Sequence, residues 1–133
     1  MTLRSLFSKP AVWWTIAVVL GALLLFAAVD NRVYEVTSPA SFDYHVILRK
    51  IYSIIAFAAV GYPIARARMA AGRPATPLVI AGLIAGYSAV IEVLQFALDP
   101  PWEGIVSNLL DVGYGLAGGA FAAWVASKTT RRS

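Results

Sequence analysis

The sequence contains no cysteine and only one histidine, His45. The lack of cysteine excludes disulfide bonds, thiolate zinc sites and cysteine nucleophiles, and one histidine is too few for a histidine-based metal centre. Charged residues are also scarce, at 14% of 133 residues, whereas a soluble domain has about 25%. With 59% hydrophobic residues and a mean hydropathy of +0.72, the chain has too little polar surface for a water-soluble globule. We therefore expect a membrane protein without a metal or other cofactor.

Four apolar stretches are long enough to cross a bilayer, because a hydrocarbon core roughly 30 Å thick needs about 20 helical residues. They run from about Ala11 to Val29, Val46 to Ala65, Pro77 to Leu98 and Ile105 to Ala126. Short connections join them, which leaves no room for a separate soluble catalytic domain. Residues 1–133 are therefore predicted to form a single all-α membrane domain, a four-helix transmembrane bundle.

Most of the basic residues fall in three segments that share one side of such a bundle. Eight of the 11 are in this group: Arg4, Lys9, Arg66, Arg68, Arg73, Lys128, Arg131 and Arg132. The other side has Arg32, Arg49 and Lys50 together with five acids: Asp30, Glu35, Asp43, Asp99 and Glu103. The positive-inside rule then predicts a multi-pass protein with both termini in the cytoplasm. Topology and attraction to anionic membrane lipids account for the net charge of +4, so no nucleic-acid partner is predicted.

The first apolar stretch has some features of a secretory signal peptide, namely two preceding basic residues and the small pair Ala27-Ala28. It is about 19 residues long, whereas the apolar region of a signal peptide has about 7–15. No good A-x-A cleavage site follows it. We therefore expect this helix to be retained as the first span.

Ionisable residues inside the bilayer are the most informative ones, because each costs about 2.5–3.5 kcal/mol at mid-membrane and is usually paired or functional. In the predicted topology, Glu92 and Asp111 both lie in the outer half of the membrane, and so do Arg49 and Lys50. At about 100° per residue, Ser88, Glu92 and Gln95 share one face of the third span. Gly82 and Gly86 form an adjacent face, as a G-x-x-x-G pair.

One face of the fourth span has polar residues near its outer end and glycines nearer the middle of the membrane. It carries Asn108, Asp111, Gly115, Gly118 and Gly119. Because small residues allow close helix contact in membranes, we expect this face to meet the third span. The result would be an outward-facing, ligand-binding polar nest of Glu92, Gln95, Asn108 and Asp111, with Arg49 or Lys50 as counter-charge.

Two alternatives stay open for these residues. The polar side chains can serve only to hold the bundle together by hydrogen bonds between helices, and the two cations can extend to the external head groups. Catalysis is not expected, because the chain has no G-x-S-x-G or H-E-x-x-H motif and Ser53 and Ser107 have no obvious base. Tyr87 and Tyr114 are interpreted as hydrogen-bonding residues at helix interfaces.

Two segments resemble the VanZ-like family of small integral membrane proteins. Glu92-Val-Leu-Gln95, a proline-containing turn and the glycine-rich segment around Asp111 are similar to the family pattern of E-x-x-Q, a turn with Arg, and D-x-x-x-N-x-x-G. The segment from Arg49 to Gly61 resembles the family's D-K-x-x-H-x-x-x-Y helix start. The resemblance covers about Arg49 to Trp124, and the order and spacing of the helices agree.

The chain departs from the family at several polar positions. Arg49 stands where the family has Asp, Ser53 where it has His, Phe57 where it commonly has Tyr, and Trp102 or Glu103 where it has Arg. The last family Asp aligns with either Asn108 or Asp111; the second choice places Gly115 on the family Asn and Gly118 on its Gly. Lys50, Glu92, Gln95, Asp111 and the glycines carry over. Without the family's His, a non-enzymatic protein is expected.

The resemblance implies a cell-envelope role, linked by the family's name to antibiotic resistance through tolerance of the glycopeptide teicoplanin. On this interpretation the polar nest binds an envelope small molecule, such as a glycopeptide, a lipid head group or a cell-wall intermediate. The alternative is a structural or accessory subunit of a larger membrane complex. Flat glycine faces on the third and fourth spans and the lack of a complete catalytic set suit such a subunit.

Overall fold

A computed structural model describes residues 2–30, 36, 44–98 and 105–131 of the chain. A single helical turn, Leu3–Leu6, is followed by four long helices: α1 (Pro10–Val29), α2 (His45–Ala70), α3 (Pro77–Leu98) and α4 (Ile105–Arg131). All four are long and apolar enough to cross a membrane, and none of the described residues is in a β-strand. The predicted all-α, four-helix transmembrane bundle is confirmed, and the chain is a multi-pass membrane protein. The side of the membrane on which each end lies stays a prediction.

The two ends of the bundle differ in charge. The acidic end is where α1 and α3 finish and α2 and α4 begin, and the basic end is the opposite one. The predicted connections at the acidic end, including Trp102 and Glu103, lie largely outside the described residues. At the basic end the connection between α2 and α3 is fully described.

Two helices are longer at the basic end than the predicted spans. α2 continues from Ala65 to Ala70 and α4 from Ala126 to Arg131, so Arg66 and Arg68 are helical instead of lying in a loop. Neither extension needs further apolar residues, because helix ends that reach the head groups tolerate basic side chains. Pro63 lies inside α2, buried among neighbouring helices. A membrane helix accommodates proline when packing and local adjustment satisfy the freed backbone group.

The turn after α2 has the hydrogen bonds of a Schellman motif. Gly72 adopts a left-handed conformation, with φ of 67°. Its N–H donates to the carbonyl of Met69, and the N–H of Arg73 donates to the carbonyl of Arg68 at 2.8 Å. Only glycine takes this conformation without steric cost, so the residue sets where α2 stops. Thr76 is the N-cap of α3, since its Oγ1 accepts a hydrogen bond from the N–H of Val79 at 3.3 Å.

α4 occupies the centre of the bundle. It packs extensively against both α2 and α3, whereas α1 packs mainly on α2 and less on α3. The most deeply buried large side chains are Ile80, Ile84 and Ser88 of α3 and Pro63 of α2. The first span is part of this packing, because Ala17, Gly21 and Ala28 of α1 are buried.

Candidate functional site

Glycines of α4 set the distance between α3 and α4. A Cβ atom added to Gly119 would lie 2.8 Å from Cα of Ala81, and one added to Gly115 would lie 3.1 Å from Cβ of Ser88. Such distances leave no room for a methyl group at Gly119 and little at Gly115. The paired positions run in opposite directions along the two helices, so α3 and α4 are antiparallel and in direct backbone contact.

The G-x-x-x-G pair of α3 does not take part in this contact. A Cβ atom on Gly82 or Gly86 would meet nothing within 4 Å, and both glycines are exposed. The expectation that Gly82 and Gly86 lie next to the contact between helices is therefore wrong for the packing within this chain. Burial of Ile80, Ala81, Ile84 and Ser88 turns the opposite side of α3 toward the bundle.

The contact between α2 and α4 is equally close and runs in parallel. A Cβ atom on Gly118 would lie 2.8 Å from the carbonyl oxygen of Ile54 and 2.8 Å from Cβ of Phe57. One helical turn further, a Cβ atom on Gly61 would lie 3.0 Å from Cβ of Ala122. The three helices are therefore fixed relative to one another in the half of the bundle nearer the basic end.

One hydrogen bond marks where this close packing gives way to polar residues. Ser88, which is 1% exposed, donates from Oγ to the backbone carbonyl of Asp111 at 3.1 Å. Continuing the antiparallel register by one turn toward the acidic end brings Glu92 level with Asn108. Glu92 also shares the side of α3 that bears Ser88, because residues four apart lie on the same helix face.

By this register Glu92 and Asn108 lie near one level, and Asp111 lies about one turn nearer the basic end. Glu92, Asn108 and Asp111 are all half-buried, and each makes a hydrogen-bonding or electrostatic interaction. In the part of the chain that the structure describes, no buried side-chain nitrogen or oxygen is left without a hydrogen-bond partner. All three side chains are thus partly shielded by the bundle and partly exposed.

Gln95 has a different partner from the one that the nest prediction gives it. Its Nε2 donates to the backbone carbonyl of Ala28 in α1 at 2.7 Å. Tyr87, two turns nearer the basic end on α3, donates from its hydroxyl to the carbonyl of Gly21 in α1. Both side chains therefore tie α1 to α3. The alternative interpretation, in which a polar side chain holds the bundle together, describes Gln95, and Tyr87 has the interface role expected of it.

The two cations at the start of α2 lie on different faces. In the parallel register of α2 and α4, Lys50 is level with Asp111, and it shares a face with Phe57 and Gly61, which contact α4. Arg49 lies about 100° around the helix from this face. Lys50 therefore lies on the side of α2 that faces α4, whereas Arg49 lies to one side of it and makes an interaction of its own. Both side chains are exposed, as extension toward the head groups also requires.

The side chains near this level are two carboxyl groups and an amide. Their oxygen atoms can accept hydrogen bonds from ammonium or N–H groups. Among the described residues, no group of three His, Cys, Asp or Glu side chains could hold a metal ion. The hydroxyl of Ser53 donates to the carbonyl of Arg49 at 2.9 Å, and that of Ser88 to Asp111, so neither hydroxyl is paired with a general base.

The sequence does not predict every contact described here. It places Ser88 on the face of α3 that meets α4, but it does not predict the bond to the backbone of α4. The carbonyls of Gly21 and Ala28 give no sequence signal, because backbone acceptors do not depend on residue type.

Comparison of the chain with protein-family models, with curated proteins and with solved structures finds no match, so the case for function rests on the residues themselves.

Proposed function

We propose that the chain is a VanZ-like protein of the bacterial inner membrane that binds a cell-envelope component without catalysis. In this proposal the acidic end faces outward, as the positive-inside rule requires for the eight bases at the other end. The ligand binds to Glu92, Asn108 and Asp111, with Lys50 at the rim. The glycopeptide teicoplanin is the compound with which the resemblance links such a protein.

One observation supports the proposal most: the bond from Ser88 to the Asp111 carbonyl, whose antiparallel register brings Glu92 level with Asn108 and within about one turn of Asp111. Acids are costly at this depth and rare in membrane helices. A bundle that needed only stability could use apolar residues here, as it does around Ile80 and Ile84. The presence of two carboxylates and an amide supports a binding role.

The proposal is tested by replacing the carboxylates with amides of the same shape. Strains that produce the wild-type protein, Glu92→Gln or Asp111→Asn are compared for teicoplanin tolerance at equal membrane levels of protein, beside a strain without the protein. We expect the wild type to raise tolerance and each variant to return it to the level of the strain without the protein. Asp30→Asn is the matched control, because it neutralises a half-buried carboxylate at the same end but outside the nest.

Two results would contradict the proposal. If the wild type conferred no tolerance, the link to teicoplanin would be wrong. If both nest variants conferred the wild-type level, the nest would have no part in the function. Thermal unfolding of purified protein with and without teicoplanin gives an independent readout, since a ligand that binds only the folded state raises the unfolding temperature with concentration.

A second function, as an accessory subunit of a membrane complex, is favoured by a different observation. Gly82 and Gly86 form a flat, exposed strip on α3, flanked by the exposed apolar side chains of Leu83, Val90 and Val93. Small residues four apart are a common contact surface between membrane helices. This role predicts a stoichiometric partner in mild detergent that is lost in Gly82→Leu but retained in Glu92→Gln. A solitary monomer would count against it.

A further inference from the structure

The charges of this chain are separated along the bundle to an unusual degree. All seven acids lie between residues 30 and 111, and none occurs in residues 1–29, 44–91 or 112–133. The basic end is built only from those three acid-free stretches, and it contains eight of the 11 basic residues. Among the described residues, no acidic side chain lies in the helix ends and the turn that form the basic end. This end therefore attracts anions from its surroundings.

Two of these cations border one cleft. A half-open cavity of about 340 Å³ lies between the start of α1 and the turn after α2. Its lining residues are Pro10, Ala11, Trp14, Arg68, Ala71 and Arg73. Arg68 and Arg73 are thus the two charged residues of an otherwise apolar lining, and Trp14 is 42% exposed. This combination of fixed positive charge and apolar surface matches an amphiphilic anion better than a fully hydrated one.

The cleft is held in shape by the turn described above. The Schellman bond between Arg73 and Arg68 fixes the two backbones, and Arg68 Nε donates to the carbonyl of Pro74 at 2.7 Å. With Nε occupied, the two terminal amino groups of the Arg68 guanidinium are the donors that remain for a ligand. Guanidinium groups bind phosphate oxygens through paired, charge-assisted hydrogen bonds.

A neighbouring cluster fixes α1 against α2 on the same level. The guanidinium carbon of Arg66 lies 4.8 Å from the ring centroid of Trp13, and its Nη1 donates to the hydroxyl of Tyr62 at 3.1 Å. Trp13 in turn donates from Nε1 to the carbonyl of Phe7 at 2.8 Å. Both walls of the cleft are thereby positioned before any ligand arrives.

We propose that this cleft binds the head group of an acidic phospholipid, with its phosphate between Arg68 and Arg73 and its glycerol region against Trp14. The occupant is a lipid because the cleft opens at the end of the membrane-spanning helices, where head groups lie, and because most of its lining is apolar. This site is at the opposite end of the bundle from the nest and does not depend on the proposed function.

The test counts the lipids that stay with the full-length protein. Protein purified in mild detergent is mixed with equal amounts of phosphatidylglycerol and phosphatidylcholine, and retained lipid is measured by native mass spectrometry. We expect one phosphatidylglycerol per chain in the wild type. In the double variant Arg68→Gln and Arg73→Gln, we expect its apparent affinity to fall about tenfold or more, because two charge-assisted contacts are removed. The matched control is Lys128→Gln with Arg131→Gln, which removes the same charge from the same end but outside the cleft.

Arg68 also holds the turn, so the single variants Arg73→Gln and Arg68→Lys accompany the double variant, and circular dichroism checks their folding. We expect Arg73→Gln to weaken retention while the control pair leaves it unchanged. Equal losses in the cleft and control variants would show diffuse attraction and overturn the proposal. Equal retention of the two lipids, or complete displacement by millimolar inorganic phosphate, would also overturn it.

Discussion

The inward face of α4 is divided into two halves of opposite character. Toward the basic end it carries glycine and alanine, and the backbones of α2 and α3 approach so closely that an added methyl group at Gly118 or Gly119 would overlap them. Toward the acidic end it carries Asn108 and Asp111, which are half-buried and polar. Where side chains are absent, the helices contact one another directly and no ligand can enter. In the half nearer the acidic end, α4 has polar side chains at the positions where the other half has glycine and alanine. Stability and the proposed binding are therefore assigned to different halves of the same helix contact.

The substitution Gly119→Ala is the strongest test of this division. The new methyl group would lie 2.8 Å from Cα of Ala81, and a helix backbone cannot move aside as a side chain does. We expect a loss of about 1–3 kcal/mol of stability, typical of overpacking, seen as a lower unfolding temperature in detergent. Gly82→Ala on the facing helix is the control; it meets nothing within 4 Å, so stability should be unchanged or rise by up to about 1 kcal/mol through helix propensity. Equal stability of the two variants would contradict the proposed packing.

Gly115→Ala lies at the boundary between the two halves and should have an intermediate effect. Its methyl group would meet Cβ of Ser88 at 3.1 Å and the carbonyl oxygen of Ile84 at 3.3 Å, so the two helices would have to separate by only a few tenths of an ångström. We expect a loss of about 1 kcal/mol, at the lower limit for overpacking. Unfolding measured beside the previous pair should rank Gly119→Ala below Gly115→Ala and both below Gly82→Ala. Any other order would place the boundary elsewhere.

Ser88→Ala removes the hydrogen bond that aligns the two halves. Bonds of this kind between membrane helices contribute about 0.6 kcal/mol on average, so a small loss of stability is expected. Because the bond helps to set the level of Glu92 relative to Asn108, we also expect teicoplanin tolerance to fall further than the small loss of stability would explain. Ser53→Ala is a suitable control, since its hydroxyl bonds only within α2. A variant with normal tolerance would show that this bond does not position the nest.

Glu92→Gln should have the smallest effect on stability. The amide keeps the size and planar shape of the carboxyl group and one of its oxygen acceptors, so we expect a change within about 0.5 kcal/mol in the same unfolding measurement. Loss of teicoplanin tolerance without loss of stability would most clearly separate binding in the polar half of the helix contact from packing in the glycine half. A large destabilisation would instead identify Glu92 as a structural residue.

The spans were predictable because bilayer thickness dictates helix length, and α3 has the predicted bounds, Pro77–Leu98. The far ends of α2 and α4 were not, since basic residues such as Arg66 fit equally well in a loop or in a helix that enters the head groups. The glycines show a further limit of prediction from sequence. Gly82–Gly86 and Gly115–Gly119 have the same spacing, yet only the second pair is buried. Sequence periodicity defines the faces of a helix, but the neighbouring helices decide which face turns inward.

The candidate site shows the same limit. Placing Glu92 and Asp111 in one half of the membrane needed only the topology and the helical rise. The partner of Gln95 could not be predicted, because it is a carbonyl of α1 and every residue has one. The cleft beside Arg68 was also hidden, since it depends on the turn at Gly72 bringing the chain back toward α1.

The bonds from Tyr87 and Gln95 to α1 have a consequence for how the chain is made. The donor and acceptor of each pair are separated by 66 and 67 residues. A ribosome that has just released the first span into the bilayer has yet to synthesise either donor. Until the third span is made, α1 is therefore held by its contacts with α2 alone. A nascent chain stopped before Tyr87 would keep that pairing but lack the bonds that tie α1 to α3.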